Sequence, residues 1–518
     1  MSKTKLAVIL VGIVLVVALI VGISWAAEPK KGGMINVALT GEPVTLDWQF
    51  VTEERTRQIA SHVLENLVTI DEQGKVIPQL ADSWKVSNDG LTYTFTLRKG
   101  VFFHNGKEMT AEDVKASLER YLKVARRQQQ FAQVKEINAT DKYTVVINLS
   151  EKMPLFLDLL SSPVNPPAIM PKEVVEGKAG GKVDLIGTGP FKFSEWVPGR
   201  YIELKAFDGY KPDTRFKEPI GLGGKREADV DTIRFVPVPE SGARVSGLLT
   251  ATYDFIEAVP AAVVKTLQIK DDVTVDKLMP YAWSEVLFNH ANAPSNNLKF
   301  RQAIQAALNM KPIMEISSDG FYRLDQNIMY KELAWTSTAG KNKYNMNNKA
   351  LAKKLLKEAG YKGEQVVFGV PTDYDWMYRG AVVMAEQLKA VGVNVKLVAA
   401  DYGTIKAIRQ DKKAWNMAVT GVIPEPSVHP LNFLEFFRTG PGAYGFYSNP
   451  NMDKLIEQFT KADSFAEQYK AWKSIQQFVY DDVIIIKWGD LGSYNALSKR
   501  IQGYKTFRVP RFWNVTVK

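Results

Sequence analysis

Two stretches of the chain alternate apolar and polar residues with a period of two. At positions 91–97 the apolar residues are separated by threonines, and positions 143–149 repeat the pattern. Such alternation is typical of half-buried β-strands, whose successive side chains point to opposite faces. Between the two stretches, Thr110 can cap a helix that carries Asp113 in its first turn and an apolar stripe beginning at Val114. We therefore predict a β/α segment here.

Apolar residues recur at helical spacing in the second half of the chain. Asn347 precedes the first of these stripes, and Gly360 and Gly392 stand where left-handed C-terminal residues would end two helices. The predicted elements are helices at 351–360, at 381–391 and twice within 453–480, and strands at 393–397 and 483–486. Helices that feed directly into strands predict an α/β fold, and 518 residues suffice for at least two lobes.

Two irregular stretches predict surface loops. Residues 162–171 contain four prolines, and residues 218–224 contain one proline and three glycines. Both compositions are typical of loops. We expect the second loop to be the more mobile, because its glycines surround a single leucine.

The N-terminus has the pattern of an export signal. Lys3 and Lys5 precede an uninterrupted apolar run from Leu6 to Ile23, and Ser24-Trp25-Ala26 resembles a cleavage site. Residues 1–26 are therefore predicted to be a signal peptide, with the rest secreted into the periplasm or another extracytoplasmic space. The apolar run of 18 residues just reaches spanning length, so an uncleaved N-terminal membrane anchor is the alternative.

Composition excludes several classes of protein. The chain has no cysteine, which rules out disulfides, thiolate metal sites, a catalytic thiol and a lipid on an N-terminal cysteine. Its net charge of +10 is small for its length, and the basic pair Arg126-Arg127 has no interleaved aromatic residues. Nucleic-acid binding is therefore not expected.

No catalytic, metal or nucleotide motif stands out. The four histidines are not paired at a metal-binding spacing, and there is no His-Glu-x-x-His or Gly-x-Ser-x-Gly motif. Residues 177–182 superficially resemble a phosphate loop, but the second glycine comes too early and no Ser or Thr follows Lys182. We expect no catalytic residue, no metal and no cofactor, with a secreted enzyme or adhesive surface protein as the alternative of a different class.

A long run of residues resembles a family signature. It comprises 78–90 (PQLADSWKVSNDG), 92–95 (TYTF), 97–101 (LRKGV), 103–106 (FHNG) and 110–114 (TAEDV), and later 187–191 (GTGPF), 300–303 (FRQA), 358–361 (EAGY) and 387–393 (QLKAVGV). In order and spacing these resemble the extracellular solute-binding proteins of family 5, the peptide, opine and nickel type that serve ATP-driven importers. Physically, 88–90 is a turn joining two strands into a hairpin, so the signature is structural. His104 within it is predicted to be a hydrogen-bonded structural residue.

The resemblance implies a two-lobed periplasmic-binding-protein-like II fold with an extra subdomain in the first lobe. Lobe I would comprise residues 27–69, 186–288 and 488–518, with the extra subdomain at 70–185 and lobe II at 289–487. Such a protein captures a small solute between closing lobes and delivers it, as a monomer, to an ABC permease with its ATPase subunits. A di- or oligopeptide is favoured. The alternatives are an oligosaccharide, an opine or another organic solute, with nickel less favoured.

The resemblance also implies where the solute would bind. The implied ligand-binding residues lie in the loop after the first strand, in the crossing strand, and in the strand and loop at 415–433: Glu42, Pro43, Tyr281, Trp283, Trp415, Thr420, Gly421, Val422 and Glu425. Peptide binders of this family keep a carboxylate for the ligand ammonium at the position that reads Val422 here, and an apolar residue cannot serve that role. Glu425 is the nearest acid, and Glu42 and Asp401 are further candidates.

Three other residues near the implied site are interpreted as structural. His429 lies where nickel binders of the family place a histidine, but no cysteine or second nearby histidine supports it. Trp376 and Trp488 are predicted to pack in the core.

Overall fold

The computed structural model describes residues 32–422 and 429–518, so the predicted signal peptide and Glu425 lie outside the described residues. The strands are β1 (Met34–Leu39), β2 (Val68–Ile70), β3 (Val76–Pro78), β4 (Ala81–Val86), β5 (Thr92–Leu97), β6 (Val134–Asp141), β7 (Thr144–Leu149), β8 (Phe191–Val197), β9 (Tyr201–Ala206), β10 (Pro219–Ile220), β11 (Gly223–Gly224), β12 (Thr232–Pro237), β13 (Phe255–Ile256), β14 (Val273–Phe288), β15 (Tyr322–Arg323), β16 (Val366–Pro371), β17 (Val395–Ala400), β18 (Met417–Val422), β19 (Ile485–Ser498), β20 (Ile501–Gln502) and β21 (Thr516–Val517).

The helices include short ones of one or two turns. They are α1 (Glu54–Ala60), α2 (Ala111–Val124), α3 (Phe156–Ser161), α4 (Lys172–Val175), α5 (Ser241–Leu249), α6 (Ala261–Gln268), α7 (Leu298–Ala307), α8 (Met310–Ser317), α9 (Lys349–Glu358), α10 (Asp375–Lys389), α11 (Tyr402–Ile408), α12 (Leu431–Phe437), α13 (Pro450–Lys461) and α14 (Phe465–Asp482). Within the described ranges, no helix combines the length and apolar character needed to cross a membrane.

One mixed sheet of eleven strands runs through both lobes. Its order is β17-β16-β18-β14-β19-β13-β1-β12-β9-β8, with β15 paired to β19. We call the half from β13 to β8, with its helices, lobe I, and the half from β17 to β18, with its helices, lobe II. The long strands β14 and β19 pair antiparallel from Val273 opposite Ser498 to Leu287 opposite Ile485. This ribbon carries the sheet from one lobe into the other.

Helices cover both faces of the sheet in each lobe, as expected of an α/β fold. In lobe I one face packs Val37 and Phe235 against the C-terminal segment, and the other packs Ala38 and Leu248. In lobe II the two faces of β14 enter separate cores, because its successive side chains alternate in direction. The α/β, two-lobed architecture expected from the sequence is confirmed.

An additional four-stranded antiparallel sheet, β4-β5-β7-β6, forms with α2 the extra subdomain. In the turn between β4 and β5, Gly90 has a positive φ of 72° and Oδ1 of Asp89 accepts a hydrogen bond from the N–H of Leu91 at 3.0 Å. At the start of α2, Oδ2 of Asp113 accepts from the N–H of Thr110 at 2.9 Å. The predicted hairpin and capped helix are both confirmed.

His104 fixes the extra subdomain to lobe I. Its Nδ1 accepts a hydrogen bond from the N–H of Gly187 at 3.2 Å, and its Nε2 donates to the carbonyl of Gly189 at 2.9 Å. Burial lowers the pKa of this imidazole to about 4, so the ring is neutral near pH 7. The interpretation of His104 as a structural residue is confirmed.

Both stretches predicted to be surface loops are buried over much of their length. Asn165 is 1% exposed, and its carbonyl accepts a hydrogen bond from the Tyr121 hydroxyl at 2.9 Å. Leu222 is 4% exposed within the lobe I core. A Cβ at Gly221 would lie 2.0 Å from the carbonyl oxygen of Ile70, so this glycine permits close backbone packing. The prediction of a surface loop was therefore wrong for residues 221–224, which are all buried.

Two predicted boundaries also shift. The cap of α9 is Asn348, whose side chain accepts from the N–H of Leu351, one residue after the expected Asn347. The strand predicted at 483–486 begins at Ile485 and continues to Ser498, while Val483 takes the left-handed conformation that ends α14. The polar residues that follow concealed its length, because Lys487 and Asp490 are buried as an ion pair 2.6 Å apart.

Candidate functional site

The carboxyl ends of parallel strands from both lobes meet at one cleft. Strands β1, β12 and β13 are parallel in lobe I, and β16, β17 and β18 are parallel in lobe II. Ligands of open α/β sheets bind outside such carboxyl ends, where loops supply the polar groups. Two cavities occupy this position, one at the edge of lobe I and one between the lobes.

The first cavity, of about 170 Å³, lies against lobe I. It is lined by residues from the loops after β1 and β13, from α1, from the ribbon and from the C-terminal segment: Thr40, Glu54, Arg55, Gln58, Glu257, Ala258, Leu278, Tyr281, Ser493, Asn495, Arg508 and Pro510. Two carboxylates and two guanidinium groups thus share a small, partly enclosed space. Such groups can accept and donate strong, charge-assisted hydrogen bonds.

Ion pairs and hydrogen bonds set the charge on this wall. Nη1 of Arg508 lies 3.3 Å from Oε1 of Glu54. Burial alone would raise the pKa of Glu54, but the guanidinium groups of Arg508 and Arg57 hold it below its ordinary value. Burial raises the pKa of Glu257, whose carboxylate accepts from the backbone N–H of Thr40 at 2.5 Å. Glu54 is therefore the fixed negative group of the pair, and Glu257 is the more easily protonated one.

The second cavity, of about 250 Å³, has walls from both lobes. Its lining comprises Ala258, Val259 and Ala261 of lobe I, the ribbon residues Tyr281, Ala282, Leu491, Gly492, Ser493 and Tyr494, and Ser317, Ser318, Asp319, Phe321, Asp375, Trp376 and Arg379 of lobe II. Arg379 donates to both carboxylate oxygens of Asp319, at 2.7 and 3.0 Å, and its Nε lies 2.8 Å from Oδ2 of Asp375. The lobe II wall therefore carries two negative groups and one positive group.

Tyr281 stands where the two cavities adjoin. Together with Ala258 and Ser493 it lines both of them. The guanidinium carbon of Arg508 lies 4.4 Å from the centre of its ring, and burial raises the pKa of its phenol to about 12. Tyr281 lies within the register shift of β14, between Leu278 and Ala282. The side chain at the centre of the cleft is thus carried by the strand that joins the lobes.

The other aromatic residues expected at the site lie in the lobe II core. Trp283 is 1% exposed, packs on Phe433 with ring centres 5.5 Å apart, and donates from Nε1 to Glu285 at 3.1 Å. Trp415 is also 1% exposed and belongs to the same core cluster. Neither residue lines the two cavities.

Trp376 packs on strand β18 and also lines the second cavity of the cleft. Thr420 is buried and shares a hydrogen bond of 2.8 Å with the hydroxyl of Tyr402. At Gly421 a Cβ would lie 2.2 Å from the Trp376 ring, so this glycine lets the indole lie on the strand. Val422 is half-buried at the end of the strand, opposite Trp283. Trp376, expected only in the core, packs against it and also lines the second cavity.

Two of the three acids proposed from the sequence as ammonium partners, Glu42 and Asp401, have local roles, while Glu425 lies outside the described residues. Oε1 of Glu42 accepts hydrogen bonds from Nε1 of Trp196 at 2.6 Å and from the N–H of Gly199 at 2.9 Å. Its neighbour Pro43 is buried. Asp401 caps α11 by accepting from the N–H of Thr404 at 2.9 Å. The cleft instead presents Glu54 and Glu257, which sequence reasoning missed.

The missed residues left only a weak signal in the sequence. Glu54 and Arg55 lie in the charged run 53–57 at the start of α1, and Arg508 lies two residues before Pro510 in the C-terminal segment. Charged runs are usually solvated helix faces. Only folding brings α1 and the C-terminal segment to the same cavity.

The histidines do not assemble a metal centre in the parts of the chain that the structure describes. Across 32–422 and 429–518 no group of three His, Asp or Glu residues could hold a metal ion. His429 is 8% exposed, with its ring centre 4.6 Å from that of Trp335. Its surroundings are those of a core residue.

Comparison with known proteins agrees with this architecture. Residues 75–445 match the family described as Bacterial extracellular solute-binding proteins, family 5 Middle. The chain belongs to this family. It is 26% identical to the Oligopeptide-binding protein AppA of Bacillus subtilis, over 94% of this chain and 93% of that protein. It is also 26% identical to the Glutathione-binding protein GsiB of Pectobacterium atrosepticum, over 93% and 92% of the two chains.

A solved structure shows the same fold. The ABC transporter substrate-binding protein CtaP of Listeria monocytogenes superposes with a TM-score of 0.81 at 22% identity, covering 94% of this chain and all of that one. The family resemblance drawn from the signature residues is therefore confirmed.

Proposed function

We propose that this protein is an extracytoplasmic receptor that captures a peptide-like solute between its lobes and delivers it to an ABC importer. The observation that carries the proposal is the cavity whose walls combine Ala258 and Val259 of lobe I with Asp319 and Arg379 of lobe II. A solute that contacts both walls is bound more tightly when the lobes are closed, so binding shifts the open–closed equilibrium. The permease would then recognise the closed form.

Charges of both signs in the cleft support a peptide as the solute. A guanidinium group such as that of Arg508 can receive the carboxylate of a peptide, and guanidinium groups and carboxylates alike can bond the amides of its backbone. Relatives named for oligopeptide and glutathione binding point to the same class. If the solute identified is not a peptide, the alternatives are an oligosaccharide, an opine or nickel.

The proposal includes the setting of the protein. Residues 1–26 would be a signal peptide, with an uncleaved anchor as the alternative, and the mature chain would act as a monomer with a permease and its ATPase subunits. Lobe I would comprise 27–69, 186–288 and 488–518, the extra subdomain 70–185, and lobe II 289–487. The receptor would release its solute chemically unchanged.

Two measurements test the proposal. The protein is purified from its native source, denatured, and the released small molecules are identified by mass spectrometry, since a closed receptor retains its solute. The molecule found is then titrated by calorimetry and small-angle scattering. We expect a smaller radius of gyration on saturation and a stabilisation of about 2.7 kcal/mol at a hundredfold excess over Kd. An unchanged radius on saturation would remove the closing mechanism, and conversion of the molecule would make the protein an enzyme.

A further inference from the structure

Lobe II carries a groove outside the cleft, along helix α14. Two adjoining depressions of about 710 and 520 Å³ share Thr338, Tyr469 and Lys473. One wall is α14 and the other is the segment 323–341. We call it the lysine groove, after four of its lining residues, Lys331, Lys341, Lys470 and Lys473. None of its lining residues lines either cavity of the cleft.

The walls of the lysine groove are joined by hydrogen bonds. The Tyr469 hydroxyl donates to the carbonyl of Thr336 at 2.7 Å, and Nε1 of Trp472 donates to the carbonyl of Trp335 at 3.0 Å. Trp335 and Trp472 are both buried in the lobe II core. The groove is therefore formed before any partner arrives, which lowers the entropy lost on binding.

The positive charge of the groove is not neutralised from within. Its four lysines are exposed and form no ion pair with any residue of 32–422 or 429–518. The acids of the groove have other partners, since Asp481 pairs with Lys343 at 2.5 Å and Asp325 lies 4.0 Å from Arg323. A negatively charged partner would therefore meet four lysines at once.

Aromatic rings continue the row of lysines along α14. Phe465 is 51% exposed and stacks on Tyr469 with ring centres 5.9 Å apart. Nζ of Lys473 lies 5.8 Å from the centre of the same tyrosine ring. Residues at this spacing lie on one face of a helix. The partner thus meets apolar surface beside the charges.

We propose that the lysine groove binds an extended, acidic segment of a partner polypeptide that also carries an apolar side chain. An extended chain can lie along this shallow groove, between the lysines of its two walls. The carboxylates of the segment pair with the four lysines, and its apolar side chain contacts Phe465 and Tyr469. This surface is separate from the cleft, so the inference does not depend on the solute.

The test uses the full chain and a defined probe. The probe is a fluorescein-labelled heptapeptide with four acidic residues around a central phenylalanine, and its binding is followed by fluorescence anisotropy at low salt. The groove variant carries Lys331→Gln, Lys341→Gln, Lys470→Gln and Lys473→Gln. The matched control carries Lys265→Gln, Lys270→Gln, Lys311→Gln and Lys349→Gln, four exposed lysines elsewhere. Both variants lower the net charge equally, and circular dichroism checks that both fold.

We expect the groove variant to bind the peptide about tenfold or more weakly, because each exposed ion pair contributes modestly and four are lost. The control should bind the peptide as tightly as the parent does, and added salt should weaken peptide binding by the parent and by the control. Equal weakening in both variants would reduce the effect to net charge and overturn the proposal. Two other results would also overturn the proposal. One is that the parent does not bind the peptide. The other is that the groove binds vesicles containing anionic lipid but does not bind the peptide.

Discussion

Nζ of Lys152 lies 2.6 Å from Oδ1 of Asp463, and this ion pair joins the extra subdomain to lobe II. Three residues further on, Leu155 is 6% exposed and belongs to the lobe II core that contains Trp472. The lobes therefore touch at a place other than the β14–β19 ribbon. In the proposed hinge motion, opening of the cleft would break this contact.

We expect charge reversal at either residue to favour the open form. Lys152→Glu or Asp463→Lys replaces attraction by repulsion, and because both side chains are about half exposed the closed population should fall by about twofold to fivefold. Restoration by the double variant Lys152→Glu/Asp463→Lys is the expected signature of a direct pair. Since the chain has no cysteine, a cysteine pair with one residue in each lobe allows specific labelling for single-molecule FRET.

Lys454→Glu is the matched control for this experiment, because Lys454 is exposed on neighbouring helix α13. It should leave the FRET distribution unchanged. Identical distributions for the parent and both single reversals would show that the ion pair has no effect on closure.

Tyr281 and Trp415 should respond in opposite ways to truncation. Tyr281→Ala removes the ring at the junction of the two cavities and should weaken solute binding with a small loss of stability. Trp415→Ala removes a fully buried ring and should lower the free energy of unfolding by about 3 to 5 kcal/mol. Calorimetry and urea unfolding separate the two effects. If Tyr281→Ala binds the solute with the same affinity as the parent, the solute does not bind at the junction of the two cavities.

The third prediction concerns the amine of a peptide ligand. Because Val422 cannot pair with an ammonium, we expect an N-acetylated peptide to bind the parent at least as tightly as the free amine. Val422→Asp should reverse this preference by about 1 to 3 kcal/mol, and Val422→Asn, of similar size but without charge, should not. Calorimetry with both forms of one peptide measures the difference.

A strong preference of the parent for the free amine would contradict this expectation. Loss of that preference in Glu425→Gln would then identify Glu425 as the partner. Its survival in Glu425→Gln would point to another acid and show that Val422 does not occupy the expected position.

The half-buried His104 makes stability depend on pH. The folded pKa of about 4 lies below the ordinary value of about 6.5. Between these values the unfolded chain binds a proton that the folded chain does not, so the free energy of unfolding falls as pH falls, by about 1.4 kcal/mol per pH unit. His104→Gln keeps a donor for Gly189 but removes the titration. Its slope of stability against pH from 6 to 4.5 should be shallower by that amount, and parallel slopes would refute the assignment.

Local patterns predicted the elements whose determinants lie within a few residues. The hairpin around Asp89 and the helix after Thr110 follow from turn chemistry and capping, which act over three or four positions. The same reasoning failed for 218–224, because its glycines allow contact with Ile70, far away in the chain. It also missed the length of β19, whose buried Lys487 reads as a solvent-facing residue until Asp490 is seen beside it.

The sequence by itself determined the family, the α/β class and the structural role of His104, because each rests on patterns that are complete within short segments of the chain. Only the tertiary structure decided what faces the cleft. Glu54, Tyr281 and Arg508 are more than two hundred positions apart, yet they meet at one cavity. Trp283 and Trp415, both expected to bind the ligand, instead belong to the lobe II core. The physical reason is that a side chain's surroundings depend on which distant strands the sheet brings together, and no local pattern encodes that pairing.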